Sequence, residues 1–208
     1  MARLKDAVCK LCRREKEKLF LKGVRCFTDK CGVTKKPYAP GQKAKMRLVE
    51  SEYSTQLREK QKAKRYYSVL ESQFSNYYKK ATRKQGITGE VLLQLLEIRL
   101  DNVLYLIGFA TSRAQARQLI SHGHIQVNGK KVDIPSFQLK EGSEISIKEK
   151  SRELAFIVEA KESAGSLTIP EWLEVDFKNL KGKVIRIPER ADIKAPVNEQ
   201  MIVELYSK

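Results

Sequence analysis

Four cysteines near the start of the chain are the residues with the clearest capacity for chemistry. Two residues separate Cys9 from Cys12, four separate Cys26 from Cys31, and 13 residues lie between the two pairs. Paired cysteines at such spacings can place four sulfurs tetrahedrally around a zinc ion, with no open position for a substrate. Neighbouring lysines and arginines favour the thiolate form that binds metal. The spacing therefore predicts one structural zinc ion per chain, with two disulfides, free thiols, a catalytic dithiol or an iron–sulfur cluster as the alternatives.

A basic segment in the middle of the chain is the second candidate site. Ser112 can cap a helix, and Gln115 stands at the position that a capping box requires. Gly123 can end that helix in the left-handed conformation. The pair Asn128 and Gly129 then predicts a tight hairpin, which two lysines follow. A short basic helix beside a basic hairpin offers no catalytic group but suits a phosphate backbone.

The net charge of +16 is concentrated in the first part of the chain. Residues 1–44 carry a net charge of +9 and residues 45–85 carry +7, whereas residues 86–150 carry +1 and residues 151–208 carry −1. This asymmetry is typical of a surface that binds a polyanion. No apolar run approaches the roughly 20 residues of a membrane span, and the start lacks the apolar stretch of a signal peptide. We therefore expect a soluble, cytoplasmic nucleic-acid-binding protein.

A helix predicted over residues 51–67 must position the densest group of cations. It is rich in helix-forming residues, and Tyr53 and Leu57 have helical spacing. Its cations have Glu59 as the only acidic neighbour within the run, so they would repel one another on a free helix. A bound polyanion would remove that repulsion. The cations are Arg58, Lys60, Lys62, Lys64 and Arg65.

Two further helices are predicted before the basic segment. Ser68 and Glu71 form a candidate capping box for the first of them, and Gly86 is expected to end it. Residues 88–109 are apolar at most positions, which predicts one long helix that is buried on most sides.

After the hairpin the pattern changes to short strands. Residues 137–150 alternate around a Glu-Gly turn and predict a second strand pair. Residues 172–175 and 184–187 predict two more strands, with Gly182 in the turn region between them. Asn198 can cap a final short helix, although the alternation that follows also permits a strand.

The sequence shows no constellation of catalytic residues. His122 and His124 lack the spacing of metal ligands and fit a helix end or a phosphate contact better. Asp101 is expected to form an ion pair with Arg99. A glycine-rich phosphate loop and a nucleophile elbow are both absent. We interpret the chain as a non-enzyme, since an RNA-modifying enzyme would need a further catalytic domain and a DNA-binding regulator would need a dimerising element.

Taken in order, these segments resemble one family over nearly the whole chain. The matching segments read CKLC, CFTDKC, KPYAPGQ, LREKQKAKRYY, LLEIRLDNVLYLIGFA, SRAQARQLISHGHIQVNGKKVDIPS, EKSRELAFI, IPER and APVNEQMIVELYS. The combination is similar to the bacterial small-subunit ribosomal protein S-four family. The basic segment alone is less specific, because a similar module occurs in tyrosyl-tRNA synthetases, pseudouridine synthases and a heat-shock ribosome-binding protein.

The resemblance implies an α+β fold in three parts. These are a zinc-knuckle N-terminal arm, an all-helical domain, and an inserted α/β domain that carries an S-four-type RNA-binding module. The corresponding bounds are residues 1–44, residues 45–97 with 197–208, and residues 98–196.

The same resemblance implies a function. It indicates a primary binder of 16S ribosomal RNA, at a junction in the 5′ domain, that nucleates assembly of the 30S body in the cytoplasmic ribosome. Contact with ribosomal protein S-five would bear on translational accuracy, and some members repress their own mRNA. Neither a membrane nor a small-molecule substrate is implied.

The family's RNA-contact positions carry over onto cations and polar residues of both basic segments. They fall on Arg58, Lys60, Lys62, Lys64, Arg65, Arg113, Arg117, Gln118, His122, Lys130 and Lys131. Only some members hold zinc, and here its ligands would be Cys9, Cys12, Cys26 and Cys31. The chain departs from many relatives, which place Arg where it has Leu106 and Ala114, and His-Gly where it has Lys43 and Ala44.

Overall fold

The computed structural model describes residues 7–41, 51–154, 157–158, 160 and 168–207. The chain divides into two compact units, Met1–Leu92 with Ala195–Lys208, and Leu93–Lys194. The three-part division predicted from the sequence stays a prediction. None of the helices in the described ranges is long and apolar enough to cross a bilayer.

The first unit is built from helices in its described part. They are α1 (Val8–Arg14), a 3₁₀ helix (Gly23–Phe27), α2 (Gly32–Lys35), α3 (Glu52–Tyr66), α4 (Glu71–Thr82) and, near the C-terminus, α8 (Glu199–Ser207). α3 packs against α8. Ala63, Phe74 and Ile202 are fully buried, so the apolar faces of these helices form the core of the unit.

Side-chain caps begin two of these helices. The Ser51 hydroxyl accepts a hydrogen bond of 3.2 Å from the Ser54 N–H at the start of α3. The Asn198 carbonyl oxygen Oδ1 accepts from the N–H groups of Gln200 at 3.1 Å and Met201 at 3.4 Å. The helix predicted after Asn198 is therefore confirmed, and the alternative of a strand is wrong.

The turn between α3 and α4 differs from the sequence prediction. Ser68 has a φ of +54°, and its N–H donates to the Arg65 carbonyl at 3.1 Å. This bond, with that from the Val69 N–H to the Lys64 carbonyl at 2.9 Å, closes the end of α3. The N-cap of α4 is Leu70, which has no side chain that could form a capping hydrogen bond. The capping box predicted at Ser68 and Glu71 is therefore wrong. α4 ends at Thr82, before Gly86, which lies in the following turn with a φ of +113°.

Two helices, α5 (Thr88–Glu97) and α6 (Leu100–Leu106), replace the single helix predicted over residues 88–109. Between them Arg99 is extended, with φ −68° and ψ 139°. It forms an isolated antiparallel bridge with Gln138, and the adjacent backbone bonds to the same distant segment. Both helices are largely buried, so the residues on either side of Arg99 are equally apolar. The hydrophobic pattern therefore gives no sign of the break.

The second unit contains a five-stranded antiparallel sheet in the order β2-β1-β3-β5-β4. Its elements are α7 (Arg113–Ser121), β1 (Ile125–Val127), β2 (Lys130–Lys131), β3 (Glu144–Ile147), β4 (Leu173–Asp176) and β5 (Lys181–Val184). The strand pair predicted over 137–150 is reduced to β3 and the bridge at Gln138. Gly182 lies within β5 and not in a turn. A Cβ there would lie 3.0 Å from Ile107 Cδ1, so close packing explains the glycine.

The core of this unit lies between its helices and one face of the sheet. Alternate strand residues such as Ile125, Ile145 and Ile147 are buried, as a half-buried strand requires. Trp172 is fully buried among them. The buried helical residues are Leu100, Val103, Leu104, Ala116, Leu119 and Ile120. This packing fixes the position of α7 and of the hairpin beside it.

Candidate RNA-binding and metal-binding sites

The start of α7 is held as the sequence predicts, with one change of partner. The Ser112 hydroxyl accepts a hydrogen bond of 3.3 Å from the Gln115 N–H. The Gln115 side-chain oxygen accepts from the N–H of Thr111 at 2.7 Å and from its hydroxyl at 2.8 Å. The second bond of the predicted capping box is thus made to the residue before the cap. These hydrogen bonds together anchor the first turn of α7.

The hairpin after α7 is formed by two residues with positive φ. Asn128 has φ +50° and Gly129 has φ +75°, the combination that the favoured two-residue hairpin turn requires. Asn128 Oδ1 also accepts a hydrogen bond of 2.8 Å from the Glu144 N–H, which ties the turn to β3. The predicted Asn-Gly hairpin is confirmed.

Gly123 lets the hairpin approach the end of α7. Its φ is +74°, and a Cβ at this position would lie 2.5 Å from Cε of Lys131. The aliphatic part of the Lys131 side chain therefore covers Gly123. This contact places a lysine of β2 directly beside the C-terminal end of the helix.

The predicted contact residues of this unit fall into two groups. Gln118, His122, Lys130 and Lys131 are exposed. Arg113 is only 4% exposed. Its Nε donates to Asn102 Oδ1 at 2.8 Å, and its guanidinium lies 4.5 Å from the ring centroid of Tyr105. The structure thus gives Arg113 an intramolecular role, and its predicted RNA contact stays a prediction.

Arg117 belongs to a buried ion network. Asp101 accepts hydrogen bonds from Arg99 Nε at 3.0 Å and Arg99 Nη2 at 2.6 Å, which confirms the ion pair expected from the sequence. Arg117 Nη2 donates to Asp101 Oδ2 at 3.1 Å, and its side chain is 13% exposed. Sequence reasoning missed this third partner, because Arg117 lies on a different helix. Asp101 therefore restrains the guanidinium that was predicted to meet RNA.

Two histidines lie together at the end of α7. The ring centroids of His122 and His124 are 6.0 Å apart, and both rings line a surface cavity with Gln115 and Gln118. His124 Nδ1 lies 2.9 Å from the Ser151 hydroxyl. Burial lowers the pKa of His124, and the positive charges of His122 and Lys148 lower it further.

The five cations of α3 are paired with carboxylates in the described part of the first unit. Glu15, in the N-terminal region, bonds to both Arg58 and Arg65. Lys62 Nζ lies 2.7 Å from Glu59 and 3.5 Å from Glu17. The repulsion expected on a free helix is offset in the folded unit, because carboxylates inside and outside the run pair with these cations.

Glu71 holds the remaining two lysines of α3. Its carboxylate oxygens lie 2.7 Å from Lys60 Nζ and 2.9 Å from Lys64 Nζ, and it accepts a hydrogen bond of 3.1 Å from the Tyr206 hydroxyl. Burial would raise the pKa of Glu71, but the hydrogen bonds from the two lysines outweigh it and lower the pKa. The Glu71 side chain is 47% exposed. The two lysines are less exposed, at 12% and 17%, so the carboxylate is the accessible member of each pair and the one that a phosphate could replace.

The four cysteines are brought to one place by short elements of the first unit. All of them line one small cavity, and each is a free thiol. The alternative of two disulfides is therefore not realised. A Cβ on Gly32 would lie 2.9 Å from Cβ of Cys9, so this glycine allows the two cysteine pairs to approach each other.

The thiols show different electrostatic environments. Burial raises the pKa of Cys12 and of Cys26, contrary to the expectation that nearby cations favour their thiolates. At Cys31 burial acts in the same direction, but the N–H groups of Val33 and Thr34 outweigh it and its pKa is lowered. Among the described residues, no three Cys, His, Asp or Glu side chains are arranged as metal ligands. The backbone thus gathers the four sulfurs, but the side chains do not form a coordination sphere.

Comparison with known proteins bears on the whole chain. Residues 3–97 match the family model for the ribosomal protein S4/S9 N-terminal domain, and residues 98–145 match the S4 domain. Small ribosomal subunit protein uS4 of Natranaerobius thermophilus is 57% identical over 209 residues, covering 100% of both chains. The chain belongs to the uS4 family. Proteins of the same name from Ruminiclostridium cellulolyticum and Koribacter versatilis are 56% and 58% identical, again over 100% of both chains.

The S4-domain match corresponds to a continuous part of the second unit. It covers α6, α7, β1 and β2 and ends within β3. This is the segment in which the Asn-Gly hairpin lies against the end of α7. Membership of the uS4 family thus agrees with the mixed helix-and-sheet architecture expected from the sequence.

Proposed function

We propose that this chain is a structural, non-enzymatic constituent of the small ribosomal subunit, where it binds ribosomal RNA. The observation that carries the proposal is the full-length identity of 57% to small ribosomal subunit protein uS4. It assigns the chain to the cytoplasmic ribosome and to translation. The net charge of +16 suits such a partner, because phosphate neutralisation supplies much of the affinity of nucleic-acid-binding proteins.

The second unit supports RNA binding through exposed side chains on a rigid frame. Lys130 and Lys131 are exposed on the hairpin, and Gln118 and His122 are exposed at the end of α7. The hairpin is fixed by the turn at Asn128, whose side chain bonds to the neighbouring strand. Preorganised cations of this kind can position a phosphate backbone without reading its sequence.

The first unit supports it through the paired cations of α3. Carboxylates hold Arg58, Lys60, Lys62, Lys64 and Arg65 in defined positions before any RNA is bound. A phosphate can compete for Lys60 and Lys64, since their partner Glu71 is half-exposed. The arginines are held by Glu15, whose side chain is buried, so we expect them to contribute less to phosphate binding.

The salt dependence of binding to the 5′ domain of 16S ribosomal RNA tests the proposal. If six or more phosphates are neutralised, the slope of log K against log salt concentration is expected to be about −4 to −5 or steeper. Duplex DNA of random sequence and equal length is the comparison and is expected to bind more weakly. A flat salt response, or equal affinity for the two nucleic acids, would contradict the proposal.

Substitutions on the hairpin test the individual residues. Lys130→Ala and Lys131→Ala are each expected to weaken binding and to make the salt slope shallower by about 1, because each removes one phosphate contact. Lys140→Ala is the matched control, since Lys140 is an exposed lysine of the same unit outside the predicted contact set. Equal effects for all three substitutions would mean that net charge alone, and no particular site, governs binding.

A narrower role is also proposed. As the family resemblance implies, the protein would bind the 16S RNA early and nucleate assembly of the 30S body. It would also contact ribosomal protein S-five and so influence translational accuracy. Some family members repress their own mRNA, and binding to that mRNA is proposed as well. Reconstitution of 30S subunits without the protein tests its role in assembly. Assembly of the body is expected to stall, and normal assembly would contradict it.

We also propose that the four cysteines bind one structural zinc ion. The shared cavity of Cys9, Cys12, Cys26 and Cys31 supports this, although the side chains are not arranged as ligands in this structure. Zinc would tie α1 to the segment around α2 and add folding free energy to the N-terminal region. Metal analysis of protein purified under reducing conditions is expected to give one zinc per chain. Cys9→Ser and Cys26→Ser should abolish it, and an absence of stoichiometric metal in the native protein would refute the assignment.

The division into parts at 1–44, 45–97 with 197–208, and 98–196 is likewise a proposal. It predicts that limited proteolysis of the free protein cuts first near residue 44, because Glu97 and Val197 at the other two boundaries are buried. Early cuts within α3 or within the sheet would contradict these bounds.

A further inference from the structure

An exposed phenylalanine, stacked on a partly buried one, lies in the cysteine-rich region, outside both the hairpin and α3. Phe27 is 70% exposed, which makes it the most exposed large apolar side chain in the described ranges. Its ring stacks on that of Phe20, with centroids 5.0 Å apart and planes at 28°. Because Phe20 covers only one side, most of the Phe27 ring faces solvent.

The backbone maintains this pair in an uncommon conformation. Phe20 has a φ of +52°, a region that bulky residues rarely adopt. Val24, in the same 3₁₀ helix as Phe27, is also exposed. The fold thus keeps an aromatic stack at the surface when burying it would have been favourable. Exposed apolar groups of this kind are typical of interaction sites.

The surroundings of Phe27 carry a net positive charge, with three exposed cations and one exposed acid, Asp29. Lys22, Arg25 and Lys30 are all exposed and lie within five residues of it in sequence. Arg25 Nε donates a hydrogen bond of 3.3 Å to the Lys30 carbonyl, which restrains the guanidinium. An apolar protein surface would be a poor match for these cations. A nucleotide matches both features, since its base offers a flat π face and its phosphates carry negative charge.

We propose that Phe27 stacks on an unpaired RNA base, with Arg25 and the adjacent lysines binding the flanking phosphates. The inference rests on the proposed function and names the kind of nucleotide that the N-terminal region takes. Bases within a duplex present no free face, so this site selects a loop, a bulge or a single-stranded segment.

Affinity for the 5′ domain of 16S ribosomal RNA tests the stacking. Phe27→Leu keeps an apolar side chain but removes the π face, and it is expected to weaken binding about 10-fold. Phe27→Trp preserves stacking and is expected to stay within about twofold of the native protein. The salt slope should be unchanged in both variants, since no phosphate contact is lost. Phe137→Leu, at another exposed phenylalanine, is the matched control and should bind like the native protein.

Fluorescence gives a direct readout of the stack. Trp172 is the one tryptophan of the chain and is fully buried, so F27W adds an exposed reporter. Single-stranded RNA is expected to quench the added emission, whereas a fully paired RNA duplex that binds at the same concentration should not.

The outcomes separate this inference from the proposed function. If F27L binds the RNA as tightly as the native protein, with an unchanged melting temperature, stacking by Phe27 is refuted and RNA binding still stands. If the native protein fails to bind the RNA at all, the proposed function itself is refuted. If F27L impairs only incorporation into subunits, with RNA affinity intact, Phe27 contacts another protein and the inference is wrong.

Discussion

Replacement of Asp101 by alanine should destabilise the second unit strongly. Arg99 is fully buried and donates two hydrogen bonds to the Asp101 carboxylate, at 3.0 and 2.6 Å. Arg117 donates a third at 3.1 Å. Removal of the carboxylate leaves a guanidinium without its counter-charge in a site that water does not reach.

The expected size follows from the burial of the pair. Removal of one partner of a buried ion pair costs about 3–5 kcal/mol, since the other charge stays desolvated. With an m-value of about 1.5 kcal/mol per molar urea, the midpoint of unfolding should fall by about 2–3 M. Trp172 is fully buried in the same core, so its fluorescence in a urea titration reports the unfolding of this unit.

Arg117→Ala provides the matched comparison. Asp101 keeps both hydrogen bonds from Arg99 in this variant, and the Arg117 side chain is partly solvated. The expected loss is about 1–1.5 kcal/mol, together with weaker RNA binding. The double substitution should be less destabilising than the sum of the two single ones, because the residues share one network. If Asp101→Ala shifts the midpoint by less than about 0.5 M, the network does not stabilise the fold and the reasoning is refuted.

The remaining predictions concern one site each. Gly123→Ala and Gly129→Ala should cost similar stability, because their φ values of +74° and +75° strain a side chain alike. The new Cβ at position 123 would also meet the end of the Lys131 side chain, but that flexible, exposed lysine can move away. Clearly unequal urea midpoints would contradict this. Glu71→Gln should raise RNA affinity a few-fold in an anisotropy titration by releasing two lysines, and a fall in affinity would show that Glu71 orders them for phosphate. The pKa of His124 is lowered in the folded state. Its contribution to stability is therefore present above about pH 6.5 and is lost as the pH falls through the folded pKa. His124→Asn should flatten that part of the plot of stability against pH, and an unchanged plot would exclude His124 as its source.

The pairing of the α3 cations changes how this helix is understood. A run of five cations looks self-repelling in sequence, yet Glu15 and Glu71, from outside the run, form ion pairs with four of them. These carboxylates therefore hold the cations in position in the absence of RNA. RNA phosphates would have to displace an exposed carboxylate such as that of Glu71. This competition lowers the affinity gained from each lysine, and it also disfavours anions that cannot displace the carboxylate.

Local signals in the sequence predicted local structure well. The cap at Ser112, the turn at Asn128 and the cap at Asn198 each depend on atoms within three residues or so of one another, and the structure has all three. The Arg99–Asp101 ion pair is of the same kind, with both partners close in sequence. The amino-acid types alone specify these features, because the interacting groups are neighbours along the chain.

Two local predictions failed, the capping box at Ser68 and the helix end at Gly86, but the larger errors arose where distant segments meet. The long apolar helix is broken at Arg99 by a bridge to Gln138, and hydrophobic periodicity gives no sign of such a partner. Gly182 looked like a turn residue, but its place in a strand follows from packing against Ile107. The burial of Arg113 likewise depends on Asn102 of another helix.

The sequence by itself determined the family, the charge asymmetry, the cysteine spacing and the shape of the hairpin. The tertiary structure decided which of the predicted cations are available. It exposes Lys130 and Lys131, buries Arg113 and restrains Arg117 through Asp101. The physical reason is that charge is a property of each residue, whereas solvation and ion pairing depend on which residues the fold brings together.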